Sequence, residues 1–247
     1  MELPIKPKTP ARKNPSFMIL FSKPKAGKTT ALSLLEDNLI IDLENGSDFV
    51  GGLTVKADST SDLVEIKKSL IEMKDKGKQY KYITLDTATA LEDMVGDLAI
   101  KIYKETPMGA KYGTKPGEDN IKKLPNGAGY LYIREAYERV INMLKQFPTE
   151  CLILTGHVAD KMINKNGEEV SEMQLDLSGK LGRIMYSRAD AVGFMYREGN
   201  TCKLNFNGGG DMIVEARADH LRGKEFILSE MDDKGKIKTY WDKIFIK

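Results

Sequence analysis

Residues 17–30 read FMILFSKPKAGKTT, and this stretch decides the fold. The apolar run FMILFS is short and bounded by Pro15 and Ser22, which fits a strand buried on both faces. A helix is predicted over 28–36, KTTALSLLE. The loop between them stands where a phosphate-binding motif carries meaning, after a strand and before a helix. Backbone N–H groups around Lys25, Ala26, Gly27 and Lys28 would curl round a phosphate at the positive end of that helix. Gly27 permits the close approach. Lys28 would place a point charge on the β- and γ-phosphates, and the Thr29 hydroxyl would take one Mg²⁺ position. The nucleotide-binding candidates are therefore Ser22, Lys23, Pro24, Lys25, Ala26, Gly27, Lys28, Thr29 and Thr30. One of them departs from the pattern Gly-x-x-x-x-Gly-Lys-[Ser/Thr], because Ser22 stands where glycine is usual.

Outward from this stretch, strands and helices alternate. LIIDL at 39–43 and YITLD at 82–86 are apolar strands, and CLILT at 151–155 is a fourth. Leu63, Ile66, Leu70 and Met73 predict an amphipathic helix over 61–75, and Leu91, Met94, Leu98 and Ile102 mark another. Residues 105–129 are rich in glycine and proline without apolar period, a long loop of the kind that is usually functional or disordered. A helix resumes at 131–146. Beyond 155 the texture changes to hairpins, one turning at Asn166-Gly167 and one around Glu198-Gly199-Asn200. The predicted class is α/β: a mainly parallel sheet covered by helices on both faces, with antiparallel strands added at the C-terminal edge. Residues 1–15 read as a flexible basic tail, 16–216 as the main domain, and 217–247 as an extension packing on the core or on a neighbouring subunit.

The strand ends carry the candidate chemistry. Asp86 closes YITLD, at the carboxyl end where ligands collect in open α/β sheets, and would hold Mg²⁺ together with Thr29. Asp42 and Glu44 point to one side of their strand. Glu44 is nearer the end and is the candidate general base toward an attacking water, whereas Asp42 reads equally as a capping acid. His157 follows Thr155-Gly156 at the end of the fourth strand, where a polar group can sense the γ-phosphate.

Composition narrows the classes. The chain has 247 residues, 41% hydrophobic and 30% charged, an ordinary globular balance. With 38 basic and 36 acidic side chains its net charge is +2, which excludes a tail-driven nucleic-acid binder while leaving room for a local basic surface. Cys151, Cys202, His157 and His220 supply neither a disulfide framework nor the usual zinc site. No stretch is long and apolar enough for a membrane span, and the basic start lacks a signal-peptide core, so the expected compartment is the cytoplasm.

Taken together, Lys28 and Thr29, Asp42 and Glu44, Asp86 and His157 resemble the strand ends of the RecA-like branch of P-loop ATPases. In that family the strand after the phosphate loop ends Asp-x-Glu, the next carries the metal-side Asp, and a later one ends in a polar sensor, commonly Gln. Order and spacing hold across 17–197, with His157 in the place of Gln. The sequence is most similar to small bacteriophage RecA-like ATPases of single-strand annealing and recombination, a likeness shared by the segment 208–228. The resemblance implies ATP and Mg²⁺ as cofactors, ATP hydrolysis coupled to single-stranded DNA, a homo-oligomeric ring or filament, and a host-cytoplasmic site of action. DNA would meet the loop carrying Lys104, Lys111, Tyr112, Lys115, Lys122 and Lys123, where lysines track phosphates and tyrosine stacks on bases. A second candidate loop spans 158–178. Among Arg183, Arg188 and Arg197, Arg188 is chosen as an arginine finger, in the subunit or across an interface. The alternatives are a nucleotide-dependent scaffold without a DNA role and, less favoured, a small-molecule kinase. A GTPase is least favoured because Asn-Lys-x-Asp is absent.

Overall fold

All six residues of β1 (Phe17–Ser22) are buried, and the sheet is built around it. The fold is described from a computed structural model for residues 3, 5, 6, 9–113, 120–165, 167–209 and 212–247. Alternation along β1 sends Phe17, Ile19 and Phe21 into one core and Met18 and Leu20 into the other, on opposite sides of the sheet. The other central strands divide the same way: β2 (Asn38–Asp42), β4 (Tyr82–Asp86) and the inner part of β5 (Cys151–Lys165).

Parallel pairing runs β3–β2–β4–β5–β1–β7, where β3 is Leu53–Lys56 and β7 is Ala191–Glu198. Beyond β7 the sheet turns antiparallel through β8 (Thr201–Asn205), β10 (Glu225–Met231) and β11 (Ile237–Thr239), while the two-residue β9 (Glu215–Ala216) pairs antiparallel with β7. The predicted class holds: an α/β fold whose mainly parallel sheet has helices on both faces and antiparallel strands at the C-terminal edge.

The helices are unevenly shared. One face carries α2 (Thr60–Asp75), α3 (Ala88–Met94), α4 (Gly96–Lys104), α5 (Gly129–Leu144) and α6 (Leu181–Arg188). α2 starts at a capping box in which Ser59 Oγ accepts from Asp62 N at 3.2 Å and Asp62 Oδ2 accepts from Ser59 N at 2.9 Å. The other face carries α1 (Lys28–Ser33) and the last segment of the chain. There Trp241 is buried, and its Nε1 donates to the Ala31 carbonyl at 2.9 Å, so the indole backs α1 directly. Nearby, Asn14 Nδ2 donates to the Ile246 carbonyl at 2.6 Å and Asn14 Oδ1 accepts from Ile246 N at 3.0 Å.

Several expectations change. The helix predicted to Glu36 ends at Ser33, because Asn38 already opens β2. The strand predicted at 151–155 continues to Lys165, pairing with β1 as far as His157 and with β6 (Glu168–Leu175) from Val158 onward. The candidate DNA loop at 158–178 is therefore largely a paired hairpin; at its turn, Asn166 lies outside the described residues. The loop at 105–129 is docked at its end. Ile121 is buried, and Gly129 lies so close that a Cβ there would stand 1.9 Å from the Ile121 carbonyl oxygen. Of the described residues, no helix is long and apolar enough to cross a membrane.

Candidate functional site

β1 delivers the chain to α1 through a loop that reverses handedness twice, with Lys25 at φ 63° and Gly27 at φ 92°. Gly27 is suited to that angle, and alternating handedness turns successive N–H groups inward as an anion nest. Ser22, where the motif expects glycine, is fully buried. Its Oγ donates to the Lys23 carbonyl at 2.8 Å and accepts from Lys28 Nζ at 3.0 Å. Serine thus gives the buried lysine a partner within the loop. Burial lowers the Lys28 pKa, against the opposing pull of Asp86 and Glu44.

Behind the lysine, Thr29 Oγ1 donates to Asp86 Oδ2 at 2.8 Å, and Thr155 Oγ1 donates to Asp86 Oδ1. Thr155 is fully buried on β5, next to β4, so the neighbouring strand fixes the carboxylate. Among the described residues, no group of three or more His, Cys, Asp or Glu side chains is placed to hold a metal ion by itself. The donor set of Thr29 and Asp86 nevertheless suits Mg²⁺, which takes few protein oxygens and completes its shell with water and phosphate.

Glu44 faces the same space from the end of β2. Its Oε1 accepts from Thr87 Oγ1 at 2.6 Å and lies 3.3 Å from His157 Nε2, while His157 Nδ1 is buried without a hydrogen-bond partner among the described residues. Asp42 does something else. Its carboxylate accepts from the backbone N–H groups of Glu44 at 2.9 Å, Gly46 at 3.3 Å and Ser47 at 2.8 Å. Burial opposes its charge, but these bonds and the Ser47 side chain outweigh that and hold its pKa below the ordinary value. Asp42 shapes the turn that presents Glu44.

A cavity of about 560 Å³ gathers Lys25–Thr30, Glu44, Asp86, Thr87, His157 and Arg197. Next to it, an apolar cavity of about 590 Å³ shares Lys25, Ala26 and Arg197 and is walled by Met173, Phe194, Tyr196 and Met212. Arg188, chosen from the sequence as the finger, does not join this site. Its guanidinium is committed to Glu138 and, at 3.2 Å, to Asn142, because the end of α6 packs against α5. Arg197 does line this cavity, with Nη2 only 2.9 Å from where a Gly27 Cβ would stand. It lies two residues beyond Met195, whose register partner is Ser22, so strand order brings it to the phosphate loop. The sequence offered Arg197 as one of three arginines. Thr155 and Thr87 carried a fainter signal, hydroxyls closing or following apolar strands.

The DNA-contact candidates are scattered. Lys122 pairs with Asp93 at 2.8 Å, and the Tyr112 hydroxyl donates to the Asn120 carbonyl at 2.9 Å while its ring meets Tyr103 edge-on. Lys104 closes α4, Lys111 and Lys123 lie in the loop, and Lys115 is outside the described residues.

The family model described as "AAA domain" matches residues 14–221. The chain belongs to the AAA domain family. This AAA domain is also similar to the crystal structure of the RadB recombinase, at 12% identity over 92% of each chain with a TM-score of 0.43. No curated protein matches it. Membership in this family and the Lys28 loop make the chain a P-loop NTPase domain.

Proposed function

We propose that this AAA domain binds Mg²⁺-ATP, hydrolyses it, and couples hydrolysis to single-stranded DNA in recombination, annealing or replication of the bacteriophage type. One observation carries the hydrolytic part: Lys28, the Thr29–Asp86 pair and Glu44 line one cavity of about 560 Å³. The loop amides and Lys28 would hold the phosphates, with Arg197 poised over the same loop. Mg²⁺, held by Thr29 and by Asp86 through water, would neutralise charge on the β- and γ-phosphates. Glu44 would orient a water for attack and take its proton, with Thr87 and His157 holding the carboxylate in place. The neighbouring apolar cavity suits the nucleobase, with Phe194 and Tyr196 as walls.

The DNA part is supported by the sequence resemblance and by basic side chains on the 104–123 segment. Self-assembly into a ring or filament belongs to the same reading. A second reading, a nucleotide-dependent scaffold, is favoured by the docking of Ile121 and the Lys122–Asp93 pair, which tie down the end of the candidate DNA loop. Steady-state ATP hydrolysis with and without single-stranded DNA separates them, beside Lys28→Ala and Glu44→Gln. The DNA reading expects strong stimulation that both variants abolish. A DNA-independent rate would select the scaffold, and a rate untouched by Glu44→Gln would overturn the assignment of the base.

A further inference from the structure

Away from the nucleotide cavity, α3, the start of α5 and the turn before α6 enclose a separate chamber of about 320 Å³. Tyr130, Leu131 and Leu181 form apolar walls, and Glu92, Arg134 and Lys180 supply the charge. Glu92 is only 5% exposed. Its Oε2 accepts from Ser178 N at 2.9 Å, but its Oε1 has no hydrogen-bond partner among the described residues. Of the groups nearby, Lys122 pairs with Asp93 at 2.8 Å and the Tyr137 hydroxyl donates to the Ala88 carbonyl at 3.2 Å, while Arg134 and Lys180, which line the same chamber, make no hydrogen bond to it. A buried carboxylate oxygen with an unused acceptor site calls for a donor from outside.

The walls say what surrounds that donor. Tyr130 and Leu131 are each about half exposed, a large apolar surface to leave in water beside a cavity. Arg134 is half-buried and Lys180 exposed, and neither side chain has an ion-pair partner among the described residues. Two such cations disfavour a lysine or arginine from a partner protein, which would enter against like charge. They suit a ligand that carries an N–H donor at one end, a planar body and an anion at the other.

We infer that the chamber takes one amino-bearing base of a bound single strand. The exocyclic amine donates to Glu92 Oε1, the ring lies against Tyr130, and the adjoining phosphate meets Arg134 and Lys180. This rests on the single-strand reading above and adds to it a preference among bases. Cytosine and adenine present an amine to a carboxylate, whereas thymine presents carbonyl oxygens that repel it. The volume lies near the lower end of small-ligand sites, roughly 300–1,000 Å³, and is ample for one base.

The test is fluorescence anisotropy of labelled oligo(dC) and oligo(dT) of equal length, at one salt concentration, with the full chain and with Glu92→Gln and Tyr130→Ala. The unmodified protein is expected to bind oligo(dC) about tenfold more tightly than oligo(dT). Glutamine keeps the shape and can still accept from Ser178, but offers its amide N–H₂ to the chamber. The preference should then shrink to about twofold or invert, with oligo(dT) gaining. Tyr130→Ala should weaken both polymers, and neither change should alter DNA-free ATP hydrolysis. Equal affinity for the two polymers, or a preference that survives Glu92→Gln, overturns the inference while leaving the single-strand reading intact. Binding of neither polymer sinks that reading and this inference with it. Loss of self-association in Glu92→Gln with no base preference in the parent would give the chamber to a neighbouring subunit's donor instead, which also overturns it.

Discussion

The parallel half of the sheet and its antiparallel edge divide the work of the site unequally. At the carboxyl ends of β1, β2 and β4 and midway along β5, polar atoms find one another: Lys28 with Ser22, Asp86 with Thr29 and Thr155, Glu44 with Thr87 and His157. The other half supplies support. β7, the boundary strand that pairs parallel with β1 and antiparallel with β8, brings Phe194, Tyr196 and Arg197 beside the phosphate loop, and the segment after β11 drives Trp241 under α1. Reactive groups sit in one half, and much of what holds the loop and its helix in position comes from the other.

The sharpest way to break that division is Glu44→Gln. Removing a general base should lower ATP hydrolysis by about 10²–10⁴ while leaving nucleotide affinity near its original value, read by turnover beside an equilibrium nucleotide titration. Turnover within a few-fold of the parent would move the chemistry elsewhere. Trp241→Ala probes the opposite half. Losing a buried indole should cost about 3–5 kcal/mol of stability by urea denaturation, and the lost bond to Ala31 should loosen α1 and weaken ATP binding. An unchanged urea midpoint would contradict the supporting role.

Arg197→Ala should weaken ATP binding by roughly 10- to 100-fold, the worth of about 1.5–3 kcal/mol for a bond to a charged group. Arg188→Ala, which removes only the contacts to Glu138 and Asn142, should leave ATP affinity unchanged. Equal losses from the two would erase the distinction between them. The smallest effect is expected for Asp42→Asn, on the order of 1 kcal/mol near neutral pH. Because the folded state holds this carboxyl below its ordinary value of 3.8, its contribution is present above that value. It disappears as pH falls through the lower, folded value. Urea midpoints of parent and variant should therefore differ at about pH 7 and converge at about pH 2.

The same two halves explain what the sequence could reveal. FMILFS, YITLD and their acidic or lysine-bearing ends are legible because a strand buried on both faces must be an apolar run, and because phosphate chemistry draws on few residue types. The roles of Ser22, Thr155 and Arg197 were not legible, since each depends on which strand lies beside which. Arg197 is 42 residues from the end of CLILT and adjacent to the phosphate loop only through the β1–β7 pairing. Strands β10 and β11 are short, mixed in polarity and held by their neighbours, so no local period announced them. β3 went unread for the same reason, its four residues lacking any buried position.

The uninterrupted course of β5 gives the molecule a mechanical element. For fifteen residues the strand runs from the core, past His157, into the arm it forms with β6. It is a beam clamped in the sheet up to the residue that touches Glu44, with its outer part extending about 26 Å at ~3.3 Å per residue. A tilt of about 5° at the clamp would carry the tip roughly 2 Å over that length. Whatever rests against the hairpin tip would then sense the state of the Glu44–His157 contact as displacement, with no hinge in between.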